Sequence, residues 1–244
     1  MINPLIQTKA LSKRFIGNQV LNDIDISVDR GKSLLIIGGS GQGKSVLLKC
    51  IVGLIKPDTG SIFYKGSLLE GKHKKTFMNS FGIVFQGAAL FDSLPVWENI
   101  SFKYKHSGLH SAEERRQLAA QKIELVGLPK SSLDLYPSDL SGGMQKRVGI
   151  ARAISTNPKI IFFDEPTSGL DPITSNTINK LIRGIIKELG STTITISHDL
   201  NTVRAIADSV ALLNQGKIEW NGTLNSFEKS KNKNVRKFIA PETT

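Results

Sequence analysis

The sequence predicts an α/β fold of the phosphate-loop kind, on three observations. The unbroken apolar run SLLII at Ser33 to Ile37 reads as a strand covered on both faces, and KIIFF at Lys159 to Phe163 and TTITI at Thr192 to Ile196 are two further short candidates for buried strands. Helical patterns alternate with them: between the last two runs, Ile178, Leu181, Ile182, Ile185, Ile186 and Leu189 keep one apolar face. Between the first run and its helix stand Gly38, Gly39, Ser40, Gly41, Gln42, Gly43, Lys44 and Ser45, which satisfy the pattern G-x-x-x-x-G-K-[ST].

The other elements follow in chain order. From Val20 to Val28, Ile24, Ile26 and Val28 alternate with Asp23, Asp25 and Ser27, the period of a sheet buried on one face. SVLLKCIVGL reads as a helix ended by Gly53 and by the turn at Pro57 to Gly60. From about Val96 to Thr156 helix signals dominate. Ser111 and Glu114 form a capping-box pair ahead of AEERRQLAAQKIELVG, and Gly127 with Pro129 ends that segment, so this stretch is expected to be a helical insertion. SVALL and KIEWNG flank a glycine turn and read as a hairpin, with a basic tail beyond. In that tail Val235, Phe238 and Ile239 stand at helical spacing, which predicts a short helix docked on a neighbouring subunit or, alternatively, a mobile terminus. No repeat and no Gly/Ser linker divides the chain, so residues 1–244 are expected to form one domain, with a helical subdomain at about 87–157 and a basic tail at about 222–244.

Composition excludes several classes. With 244 residues, 39% hydrophobic and 22% charged, the chain can bury a core and is not disordered. Its 22 Gly and nine Pro follow no triplet period. The stretches Leu34 to Gly39 and Val46 to Ile55 fall short of the roughly 18 to 20 apolar residues of a membrane span. The opening MINPLIQTKALSKR has no signal-peptide core, so a cytoplasmic protein is expected. A lone Cys50 among apolar neighbours reads as a buried, inert thiol. The net charge of +11 is partly local, with Lys72, Lys74 and Lys75 around His73 and with Lys229, Lys231, Lys233, Arg236 and Lys237 near the end. Neither cluster interleaves with aromatic residues, so both read as solvated loops and no nucleic-acid partner is expected. His73, His106 and His110 lack ligand-like companions and are expected to be exposed.

Three motifs carry chemistry. In the glycine loop, residues without Cβ let backbone N–H groups converge on phosphates, the following helix aims its positive end at them, Lys44 adds a charge and Ser45 a hydroxyl for Mg²⁺. IIFFDEP at Ile160 to Pro166 ends a strand in two carboxylates: Asp164 suits a Mg²⁺ shell and Glu165 the polarising of a water, although without the phosphate loop both would read as solvated strand-end groups. LSGGMQKR at Leu140 to Arg147 puts Ser141, Gly142 and Gly143 at a helix start, which is either an ordinary N-cap or a second anion site. The second reading raises head-to-tail pairing of two copies.

With these motifs in this order, the chain resembles the nucleotide-binding subunits of ABC transporters over nearly its whole length. The resemblance implies a P-loop ATPase of ABC type, with a mixed central sheet, an N-terminal antiparallel β subdomain and a helical insertion. It implies ATP and Mg²⁺ as ligands. It makes Phe15 the adenine-stacking aromatic, Gly38 to Ser45 the Walker A loop and Gln86 the glutamine that senses Mg²⁺ and the attacking water. Leu140 to Gly143 become the signature, Asp164 and Glu165 the Walker B pair with its catalytic base, Ser168 to Asp171 the D-loop and His198 the switch histidine. Outside that pattern, His198 reads as a hydrogen-bonded structural residue. Trp97 reads as core filling or as part of the region that receives a permease helix. The signature departs from the usual form: Met144 follows Gly143, with Gln145 one place later. FQGAALFDSLPVWENISF and LSGGM are similar to ATPases of the Mla/Mce type, which transport phospholipid or other hydrophobic substrates across a bacterial envelope.

The implied function is an ATPase that dimerises on ATP and powers a separate permease, peripheral on the cytoplasmic face of the inner membrane, with possible regulatory and substrate-binding subunits. A soluble single-domain ABC ATPase of the iron-sulfur assembly type is the rival.

Overall fold

The structure, a computed structural model, describes residues 4–105 and 110–240. The chain divides into two compact units, Met1–Ser80 with Ser191–Thr244, and Phe81–Gly190.

The first unit opens with β1 (Ile6–Phe15), β2 (Asn18–Val28), β3 (Ser33–Ile37), α1 (Lys44–Ile51), β4 (Thr59–Tyr64), β5 (Ser67–Leu68) and α2 (Gly71–Ser80). The second contains β6 (Phe81–Val84), α3 (Val96–Lys105), α4 (Ala112–Leu125), α5 (Gly142–Ala153), β7 (Ile160–Asp164) and α6 (Pro172–Leu189). The first then resumes with β8 (Thr192–Ile196), α7 (Leu200–Ile206), β9 (Ser209–Asn214), β10 (Lys217–Thr223), α8 (Leu224–Glu228) and α9 (Lys233–Ile239).

In the first unit, β1, β2, β4 and β5 make an antiparallel sheet in the order β2-β1-β4-β5. The alternation read in β2 is the observed one, with Ile24, Ile26 and Val28 buried and Asp23, Asp25 and Ser27 exposed. A second, mixed group is centred on β3, whose five residues are all buried between parallel β8 and parallel β9, with β10 antiparallel on β9. Three threonines lie buried in β8, and two have visible partners: Thr193 donates its hydroxyl proton to Ser33 Oγ at 2.8 Å, and Thr192 Oγ1 accepts from Gly31 N–H at 2.8 Å. Pairing of this kind offsets the cost of burying hydroxyls.

The second unit pairs β6 and β7 in parallel and gathers α3, α4 and α5. Helix α4 starts at the expected capping box, where Ser111 N–H donates to Glu114 at 2.7 Å and Glu114 N–H to Ser111 Oγ at 3.2 Å. The hydrogen bond from the Ser111 backbone holds the Glu114 carboxyl below the usual range. Helix α6 has Asp171 as N-cap, proline at its start and left-handed Gly190 at its end. It buries Ile178, Ile182, Ile185 and Ile186, each worth roughly 1.5–3 kcal/mol relative to exposure.

Two expectations need correction. The lysines around His73 lie on α2 and not in a loop, and Lys233, Arg236 and Lys237 lie on α9. In α2 only Phe77 is buried, so the sequence offers no stripe to reveal the helix. The tail does form a helix, but α9 packs on its own chain. Val235 is fully buried, Phe227 lies between Trp220 and Phe238 at ring distances of 5.7 and 6.3 Å, and Glu219 of β10 accepts from Asn234 Nδ2 at 2.8 Å. Intramolecular contacts therefore use Val235 and Phe238 of the apolar face assigned to a neighbour. His73 and His110 are exposed, and His106 lies outside the described residues. Trp97 is half-buried under the guanidinium groups of Arg115 and Arg116, 5.3 and 6.0 Å from its ring.

Candidate nucleotide site

In the first unit the register of β3 on β8 sets Ile36 opposite Ile196, so Gly38 and His198, each two residues further on, leave the same edge of the sheet. Gly38 has φ +158°, and a Cβ there would lie 2.3 Å from the Leu213 carbonyl oxygen. Gly43, with φ +97°, would put a Cβ 2.9 Å from the Val20 carbonyl oxygen. Only glycine fits at these two positions, whatever the loop binds. Helix α1 begins at Lys44 behind Gly43, with no side-chain cap on its first N–H groups. Lys44 is 8% exposed, and its ammonium donates to the carbonyls of Gly38 and Gly39 at 2.8 and 2.9 Å. Gln42 Oε1 accepts from Gln215 N–H at 2.5 Å, which fastens the loop to the β9–β10 turn. Gly39, Ser40 and Gly41 are exposed, and Ser45 is half-buried in the first turn of α1. Phe15 ends β1 with 41% of its surface exposed and the Lys13 ammonium 5.2 Å from its ring centre. His198 is exposed, directly before Asp199, whose carboxylate caps α7.

In the second unit Val84 of β6 pairs with Phe163 of β7, so Gln86, Asp164 and Glu165 leave one strand edge together. Asp164 and Glu165 are 5% and 8% exposed, and Glu165 has a left-handed backbone with φ +49°. Gln86 Nε2 donates to Ser168 Oγ at 3.2 Å, which joins the Gln86 loop to the segment before α6. Ser141 is the N-cap of α5, its Oγ accepting from Met144 N–H at 3.3 Å. Gly142 is open, whereas a Cβ on Gly143 would come within 3.0 Å of Thr174 Cγ2 at the start of α6. Gln145 turns back to donate to the carbonyls of Pro137 and Leu140 at 2.9 and 3.4 Å, so it does not take the place that Met144 holds in the signature. Asp171 accepts from Ile173 and Thr174 N–H at 3.0 Å each, and hydrogen bonding from Thr174 holds its carboxyl low.

Apart from Phe15 at the end of β1, the predicted residues collect in three groups: the glycine loop with His198, the β6–β7 edge with Gln86, Asp164 and Glu165, and the adjoining starts of α5 and α6 with Ser141, Gly142, Gly143 and Asp171. Sequence reasoning passed over Lys146 and Arg152 of α5, both of which reach the Gln86 loop. Their spacing with Gly149, three residues apiece, was the available sign of a common face.

The donor chemistry fits a magnesium nucleotide. The Ser45 hydroxyl, the Gln86 amide and the Asp164 carboxylate offer hard oxygens. Among the described residues no group of three or more His, Cys, Asp or Glu gathers for a metal. No helix among the described residues is long and apolar enough to cross a membrane.

Residues 21–168 match the family model described as ABC transporter. The methionine import ATP-binding protein MetN of Brucella abortus is 39% identical over 222 residues, 90% of this chain and 60% of that protein. MetN of Clostridium acetobutylicum is 37% identical over 238 residues, 96% of this chain and 74% of the relative. The probable ribonucleotide transport ATP-binding protein mkl of Mycobacterium leprae is 35% identical over 211 residues, covering 85% and 60%. The chain therefore spans about 60% of the length of the first two kinds of relative it matches in Brucella and Mycobacterium. Among solved structures, the ATP-binding cassette MJ0796, described as a dimeric post-hydrolysis state bound to ADP and Pi, superposes with a TM-score of 0.81 at 31% identity, covering 90% of this chain and 98% of that one. CbiO1 of Clostridium perfringens, part of the transporter complex CbiONQ, gives 0.82 at 29% identity, covering 98% and 96%. With more than half its length inside the family model and the cassette fold reproduced along it, the chain belongs to the ABC transporter family.

Proposed function

We propose that this chain is the ATP-hydrolysing subunit that drives a membrane permease, working as a pair of identical copies. The observation that carries the reading is the Gly38–Ser45 loop: glycines that the backbone requires, an uncapped helix start and a buried lysine on the loop carbonyls. The loop N–H groups and Lys44 bind and orient the phosphates, and Phe15 offers a flat face to the base. Ser45, Gln86 and Asp164 would hold Mg²⁺, which when bound offsets phosphate charge. Glu165 accepts a proton from the attacking water, and His198 donates to the γ-phosphate. Ser141, Gly142 and Gly143 close over the nucleotide of the partner copy, and Asp171, through its hold on the start of α6, sets the segment beside them.

For the cargo we infer a phospholipid or another hydrophobic molecule, on FQGAALFDSLPVWENISF and Met144. The names of the relatives, methionine and ribonucleotide transport, point to small polar metabolites instead. The soluble assembly ATPase finds no support among these relatives.

Glu165→Gln is expected to bind ATP, to run as a dimer and to lose at least ~100-fold in turnover; turnover like the parent's would overturn the base assignment. For the cargo, the chain is purified with its permease from detergent-solubilised membranes. Co-purified phospholipid and stimulation by it support the hydrophobic reading, and stimulation by methionine alone refutes it.

A further inference from the structure

Helix α5 does more than present the signature at its first turn. Lys146, Gly149 and Arg152 lie three residues apart on one face, and all three meet the loop that follows β6. Arg152, half-buried, donates from its two terminal nitrogens to the carbonyls of Ala88 and Ala89, at 2.7 Å each, and lies 5.8 Å from the Phe91 ring. Those two alanines are left-handed, with φ +59° and +50°, a conformation that L residues hold only when their surroundings impose it. Gly149 lets the loop come close, since a Cβ there would lie 3.3 Å from Ala88 Cβ. At the other end of the face, Lys146 is 6% exposed and its ammonium donates to the Gln86 carbonyl.

A lysine buried this deeply is costly unless its charge is matched. Burial lowers its pKa, while the charges of Glu165 and Asp164 act on it in the opposite sense, which places the ammonium within electrostatic reach of both carboxylates. The Gln86 residue is thus gripped twice, through its carbonyl by Lys146 and through its side-chain amide by Ser168 at 3.2 Å.

We propose that Lys146 is a positioning residue of the ATPase: its ammonium ties the Gln86 backbone to the signature helix, so that the signature and the Gln86 loop move as one piece. The proposal rests on the ATPase reading above. A misplacement of about 1 Å at such a site can cost ~100-fold in rate, so the expected loss is in kcat and not in nucleotide affinity.

The test compares the full chain with Lys146→Met, Lys146→Gln and Lys146→Arg, measuring Mg²⁺-ATP turnover, binding of a fluorescent ATP analogue and melting temperature. Lys146→Met is expected to lose ~10- to 100-fold in kcat, with KM and analogue affinity within about twofold. Lys146→Gln, which keeps a donor but no charge, should fall between, and Lys146→Arg should recover most of the rate. If the methionine variant does not fold, the glutamine and arginine variants decide. Turnover within about twofold of the parent in both neutral variants overturns the assignment, as does a loss of rate that follows melting temperature and binding without rescue by arginine. Turnover that survives Glu165→Gln overturns the base assignment alone, separately from Lys146; a parent with no Mg²⁺-ATP turnover overturns the ATPase reading and the role of Lys146 with it.

Discussion

The chain has two glycine-rich helix starts, at Gly38 to Ser45 and at Ser141 to Gly143, and they are built in opposite ways. In the first, glycine is dictated by backbone: Gly38 and Gly43 sit against carbonyl oxygens, the helix start has no side-chain cap, and a buried lysine lies on the loop. In the second, the N-cap is an ordinary serine, Gly142 has no neighbour closer than 3.9 Å to a would-be Cβ, and Gly143 is restricted only by Thr174. The first therefore has its loop shape dictated by its own chain, with no side-chain cap on the helix start. The second has part of its donor capacity spent on Ser141 and is open at Gly142, which fits a surface that works against something brought to it.

That contrast can be broken by substitution. The largest effect is expected from Gly38→Ala, where a methyl would meet the Leu213 carbonyl at 2.3 Å; urea unfolding should show a loss of ~2–3 kcal/mol. Gly41→Ala, at φ +74° with nothing within 4 Å, should cost only ~1 kcal/mol. Equal losses at the two sites would show that backbone contact does not set the loop. Ser141→Ala should cost ~1 kcal/mol through the lost cap, and the same variant should lower ATP-dependent dimerisation. Gly142→Ala is expected to leave stability within ~0.5 kcal/mol and to slow turnover; unchanged turnover would remove the signature from the nucleotide site.

A milder effect concerns Cys50, buried in α1 behind the phosphate loop, whose thiol burial pushes up from 9.0 to about 11. A raised folded pKa stabilises fully below the unfolded value and is lost as pH rises through the folded one. Stability should therefore decline between about pH 9 and pH 11, and this part of the decline should vanish in Cys50→Ala. Native alkylation at pH 8 should be slow, and fast labelling would contradict the burial.

Legibility followed the physics of each element. Buried strands such as β3 and β8 announce themselves by composition, and α4 by its cap. The strand β1 was not delimited because register shifts between Thr8 and Arg14 break its alternation. The four residues of β6 are too few to show a period, and α2 hides behind a nearly all-polar surface. The glycine loop was readable because Gly38 and Gly43 each need a backbone that only glycine adopts there. Lys146 and Arg152 were not, since a lysine and an arginine on a helix ordinarily signify solvent, and only the folded loop shows carbonyls waiting for them.

Glu165 lies buried with a left-handed backbone, a conformation an ordinary side chain holds at a cost of ~1–3 kcal/mol. Glycine would relieve that cost and forfeit the carboxylate. On the role proposed for Glu165 as the base, the sturdier chain at this one position is the idle one, so a search among variants for thermal robustness alone would drift toward proteins that fold better and do nothing.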